Sequence, residues 1–289
     1  MFCLIILPFV TVMAINDFET VDANILDMAM AALASEPGGR AVVPSYEAIL
    51  SAHQSIHLTR DAKRLYWTLS GPLSTAIWVM EETFYHPDFP LEPYYCPATS
   101  EMGAASWSPV SQSPLTDPKI SSVTVRVDHL ENWEDQWYDV HREHTEPDWD
   151  HNENDMFRWG HLLDYDPDED EDGPEHLLKC CGEERPRKKS TSLLVEAKGG
   201  FVTIHDYVSA VHPWLMGLRN DILQAAGDVL DSVPLPPNTK LMVNYPGPDS
   251  LAVAEEKQWF QARKRTLSHY YIMARMSLAE QMKWRSRNM

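Results

Sequence analysis

The hydrophobic positions of this chain change period several times, and each period predicts an element. Val123, Val125 and Val127 alternate with Thr124, Arg126 and Asp128, the period of two expected of a strand with one buried face. Leu65-Tyr66-Trp67-Thr68-Leu69, closed by Ser70-Gly71-Pro72, reads as another strand, and Leu241-Met242-Val243 as a third. Helical spacing appears at Val21, Ile25, Met28 and Leu33, where Glu36-Pro37-Gly38-Gly39 stops it. It returns after Pro44 at Tyr46, Ile49, Leu50 and His53, and again at Trp133, Trp137, Val140 and His144. Thr59 caps a short turn with Asp61 in its first positions. The best-signposted helix opens at Thr203, with Asp206 three residues on as in a capping box and Ile204, Tyr207, Val208 and Val211 as its apolar face. Pro213 either kinks this helix or opens the next, through Leu218, Ile222 and Val229, which Val233-Pro234-Leu235-Pro236-Pro237 ends.

Between these elements the pattern thins. From Tyr85 to Pro118 prolines recur every few residues, predicting an extended, irregular connection on the surface. Tyr165 to Ser192 joins an acidic run, Asp166 to Asp172, to the basic Arg185-Pro186-Arg187-Lys188-Lys189. Neither run buries enough apolar surface to offset its ordering entropy. The expected fold is therefore α+β: a small antiparallel sheet packed by helices, with a disordered acidic insertion and a basic C-terminal helix. The expected organisation is an apolar N-terminal segment at 1–14, helices over 15–64, an α+β domain over 65–250 with the insertion at 164–192, and the basic helix at 251–289.

Charge sharpens this picture. Residues 128–175 carry 19 Asp and Glu against Arg142 and Arg158, nearly the whole formal balance of −19. Residues 257–289 reverse the sign, with eight Lys and Arg against Glu280 alone. Segregated charge bears on partners and self-association, and it points to a basic protein partner. An acidic body repels phosphate, so nucleic acid is not the expected ligand, although Lys257, Arg263, Lys264 and Arg265 stand among Trp259, Phe260, Tyr270 and Tyr271. The bland alternative docks that aromatic stripe on the core. No apolar run is long enough to span a membrane. Residues 2–12 are apolar and Ala14 offers a cleavage position, but no basic residue precedes Arg40. Cleavage there would leave Cys96, Cys180 and Cys181, an odd number. An intracellular setting, cytoplasmic or nuclear, is the expectation, and secretion the alternative.

Three segments together carry a resemblance: Trp67-Thr68-Leu69-Ser70-Gly71-Pro72-Leu73-Ser74-Thr75-Ala76, then Pro97-Ala98-Thr99-Ser100 ahead of the Val123–Val127 strand, then Val202 to His212. Over residues 65–243 the chain resembles a fungal family known only as a domain of unknown function, common in mushroom-type genomes. It departs from that pattern at Gly71-Pro72, where a double proline is usual. The resemblance implies a fold and no chemistry.

The sharpest candidate chemistry is a metal site at His141, His144, Asp150 and His151, with Asp148 and His161 near in sequence. Histidines three apart on a helix stand one turn from each other, and carboxylates complete a set for zinc or another divalent ion. The spacing is not that of a zinc protease. The Asp164–Asp172 run fails the calcium-loop template, because its glycine and closing acid are misplaced. No nucleophile elbow, phosphate loop or dinucleotide turn occurs. His205 with Asp206, and His212, form a weak acid–base candidate, with His212 read as a helix-end residue. Cys180-Cys181 lies beside acids, which disfavours thiolate. The reading that follows is a non-enzymatic interaction protein with no cofactor, using its acidic, aromatic segment. The alternative is a secreted effector or metal-dependent hydrolase built on His141, His144 and His151.

Overall fold

Val123, Val125 and Val127 are all buried, as their alternation requires, and they form the strand around which the fold is built (β8, Ser122–Val127). A computed structural model describes residues 42–98, 104–142, 157–162, 175–186, 191–227, 233–245 and 247–263. The residues from Val43 onward group as one unit. On one edge of β8 lies β12 (Leu193–Glu196), antiparallel, with Leu193 opposite Val125 and Val195 opposite Val123. On the other lies β14 (Ser250–Glu255), parallel, with Leu251 opposite Val127. Strand β13 (Leu241–Asn244) closes the order β12-β8-β14-β13.

The protein is therefore α+β, as expected, but its largest sheet is mixed rather than antiparallel. Residues 251–255, expected to begin the basic helix, are strand. Leu251 and Val253 alternate with Ala252 and Ala254 and are fully buried, a period-two pattern that helix formers downstream masked. The helix begins at residue 256 and is described to 263 (α6). Trp259 is buried against Tyr66, Met80 and Met242, so the start of this helix docks its aromatic side on the body. The rest of the expected basic helix, and the N-terminal segments at 1–14 and 15–41, lie outside the described residues.

Helix α4 (Ile204–Gly217) packs on the core through Ile204, Tyr207, Val208, Val211 and Leu215. Its capping box forms as predicted: Asp206 N–H donates to Thr203 Oγ1 at 3.0 Å, and Thr203 N–H donates to Asp206 Oδ2 at 3.0 Å. Pro213 lies inside α4 rather than at a boundary, and α5 (Arg219–Ala225) follows after Leu218. Tertiary burial of Leu215 holds the last turn in helix despite the missing amide.

A second sheet joins β2 (Leu65–Trp67), β3 (Ile77–Met80) and β4 (Leu91–Pro93), with helix α2 (Leu73–Ala76) between its first two strands. Short pairs join β1 (His57–Leu58) to β7 (Thr116–Asp117) and β5 (Tyr95–Cys96) to β6 (Ser106–Trp107). The proline-rich 85–118 connection is thus not confined to the surface. Its strands are too short for periodicity to reveal, yet Tyr94, Leu115 and Thr116 are buried in the core. Near the chain's start, α1 (Tyr46–Ser51) is capped by Ser45 and tied to β8 by Thr124 N–H donating to Glu47 Oε1 at 2.8 Å. Thr59 Oγ1 accepts from Ala62 N–H at 3.2 Å, and the short turn Ala62–Arg64 has Asp61, not Thr59, at its N-cap position.

Candidate metal centre

Helix α3 (Asp128–His141) buries Leu130, Glu134, Trp137 and His141, one face at steps of four, three and four residues. The end of that face, His141, is fully buried, and the Trp137 ring lies 4.5 Å from its imidazole. Facing it is a three-stranded sheet of β9 (Arg158–Gly160), β10 (His176–Cys180) and β11 (Glu183–Glu184), with β10 in the middle. This corrects the expectation of disorder across 164–192: residues 175–186 are ordered because Leu177 and Cys180 bury with Trp137 and Phe157 in a small apolar cluster. The acidic run itself lies outside the described residues.

Two local features aim the cysteines. The register of β10 against β9 shifts between Leu177 and Lys179, so Leu177 and Cys180, three residues apart, both turn inward. Cys180 pairs with Glu183 across a two-residue loop, Cys181-Gly182, with φ of 53° and 86°. Such loops need positive φ at both positions, which Gly182 supplies freely and which costs a cysteine about 1 kcal/mol. That backbone folds the Cys181 sulfur back to 3.7 Å from Cys180 Sγ. His141, Cys180 and Cys181 each offer a ligand atom, all within 4.8 Å of one another.

The centre is stapled from outside. Arg185 and Glu134 form an ion pair, Nε to Oε1 at 2.8 Å, with both side chains about seven-eighths buried, and the guanidinium lies over the Tyr138 ring. Arg185 N–H donates to Leu178 O. Helix α3 and the β10–β11 hairpin are thus held face to face. Burial, and next the Cys181 sulfur, push the Cys180 thiol up to about 12. Unliganded, Cys180 is a protonated, unreactive thiol, and an ion binding it has to displace that proton.

Of the residues proposed from sequence, His141 is in this cluster. His144, Asp148, Asp150 and His151 lie outside the described residues. His161, beyond β9, is exposed and is not part of the three-residue group. The cysteines were missed because the acidic run next to them dominated the reading. The available signal was Cys-Cys-Gly, a glycine-containing tight turn after the apolar pair Leu177-Leu178.

The acid–base candidate does not assemble. The Asp206 carboxylate is spent on Thr203. His205 stands apart, 4.6 Å from the Trp107 ring and with Nδ1 3.4 Å from the Tyr94 hydroxyl, and burial lowers its pKa. His212 is no helix-end residue but a buried clamp: Nδ1 accepts from Trp67 Nε1 at 3.1 Å and Nε2 donates to Gly71 O at 2.9 Å. No family model, curated protein or solved structure matches the chain. Among the described residues, no helix is long and apolar enough to cross a membrane.

Proposed function

We propose that the chain is a non-enzymatic metal-binding protein whose His141, Cys180 and Cys181 hold a thiophilic divalent ion, zinc first, as a structural clamp. The observation that carries this reading is the sulfur spacing. A tetrahedral ion with metal–sulfur bonds of about 2.3 Å needs its sulfurs roughly 3.8 Å apart, and Cys180 and Cys181 stand at 3.7 Å. Two thiolates and an imidazole are a soft set that favours zinc over magnesium or calcium. His141 and Cys180 are buried and Cys181 is exposed, so the fourth position of this three-residue set would face the Cys181 side. The ion would tie the end of α3 to the β10–β11 hairpin, and so fasten the two ends of the stretch that carries the acidic run. In that role the run serves as a docking segment for a basic protein partner.

The test is metal analysis of protein purified in reducing, chelator-free buffer. One zinc per chain is expected, falling by about tenfold or more in Cys180→Ser and Cys181→Ser. Cobalt substitution should give thiolate-to-metal charge-transfer absorption in the wild type alone. Substoichiometric metal after reconstitution, or full retention by both serine variants, overturns the proposal.

A further inference from the structure

A cavity of about 280 Å³ opens where β1, β2, β13 and α6 meet, away from the metal cluster. Its apolar walls are Leu58, Leu65 and Val243. Its polar lining is cationic or hydrogen-bonding: Lys63, Thr83, Asn244, Tyr245 and Arg263. In a chain of formal charge −19, a cavity with two cations and no carboxylate in its lining runs against the average.

Arg263 is the centre of the argument. Its guanidinium donates one hydrogen bond, to Asn244 Oδ1 at 3.2 Å, and lies 5.0 Å from the centre of the Trp259 ring. Among the described residues it makes no ion pair. The acids that approach this side are engaged elsewhere: Asp61 by Arg64 and Ser113, Glu82 by Arg60, Glu256 by Lys240. Burial lowers its pKa, and the opposing influence comes from the Tyr245 hydroxyl, not from a carboxylate. The Tyr245 hydroxyl donates to Ala62 O. Arg263 is half-buried, and partly withdrawing a guanidinium from water without a counter-charge carries a cost that an arriving anion would offset.

We infer that this cavity is a binding site for a small organic carboxylate, its head group held by Arg263 and Lys63 and its short apolar body against Leu58, Leu65 and Val243. The volume lies just below the range of drug-sized sites, which suits a ligand of a few carbons. The planar guanidinium presents five N–H groups and spends one on Asn244, so it retains the paired donors that match a carboxylate. The apolar residues Leu58, Leu65 and Val243 in the lining disfavour inorganic phosphate, which has no apolar body to bury.

The experiment is a titration of the full chain with butanoate, benzoate and inorganic phosphate at matched ionic strength, followed by thermal unfolding and calorimetry. Butanoate or benzoate should raise the melting temperature relative to chloride. Arg263→Gln should weaken that binding by about tenfold or more, and Lys63→Gln by several-fold. Lys63 is exposed, so its variant reads the site even where loss of Arg263 unfolds the protein. Lys119→Gln, whose cation lies over Phe201 outside the cavity, should bind as the wild type does. Absence of carboxylate stabilisation, equal stabilisation by phosphate, or full binding by Lys63→Gln overturns the inference.

Discussion

His212 is held neutral by its surroundings. Its Nδ1 accepts from Trp67 and its Nε2 donates to Gly71 O, so both ring nitrogens are committed and a second proton would break the Trp67 bond. Burial lowers its pKa, against a smaller opposing contribution from the Gly71 carbonyl. The unfolded chain, with an ordinary value of about 6.5, then takes up a proton before the folded one does. This contribution to stability is complete above about pH 6.5 and is lost as the pH falls through the folded value. Urea midpoints at pH 7.5, 6 and 5 should therefore decline, and more shallowly in His212→Gln. The partner position is equally constrained. Gly71 has φ of +65°, and an added Cβ would meet Thr75 Oγ1 at 3.3 Å. Gly71→Ala should cost about 1–2 kcal/mol, measured by chemical denaturation. The turn at Gly71-Pro72 was legible from its composition. The clamp was not, because 141 residues separate Gly71 from His212.

Elements with a local code were readable; elements completed by distant neighbours were not. Helix α4 declared itself through Thr203 and Asp206, and Thr203→Ala should cost about 1 kcal/mol. Helix α3 showed its spacing, but not what it faces. Its staple is Glu134 to Arg185, mostly buried on both sides, and removing one partner leaves the other charge uncompensated. Glu134→Ala should destabilise the protein by roughly 3 kcal/mol, whereas Glu134→Ala with Arg185→Met should recover part of that loss. A double-mutant cycle by denaturant unfolding measures the coupling. Strands β10 and β11 escaped prediction because the acidic run and the Arg187-Lys188-Lys189 run border them, and composition averages over such short pieces. The candidate cluster was legible only in one of its three residues for the same reason. His141 carried a helical signal, while its cysteine neighbours depend on a β-bulge and a tight turn.

For the molecule as a whole, α+β follows from the mixture of periods, but the order β12-β8-β14-β13 does not. Parallel pairing of β8 with β14 joins residues 126 and 250, and no local pattern encodes a contact across that separation. The proposed clamp makes stability depend on free zinc concentration. At about a hundred times the dissociation constant the gain is about 2.7 kcal/mol, read as a rise in melting temperature that Cys180→Ser abolishes. The placement of β14 between β8 and β13 also bears on synthesis. A nascent chain emerging from the ribosome can lay β12 on β8, yet the other edge of β8 stays open until Ser250 to Glu255 have left the exit tunnel. Nearly the whole polypeptide must be made before its central sheet is finished, so premature termination ahead of Ser250 yields an exposed strand edge, the kind of surface that chaperones shield and aggregates grow from.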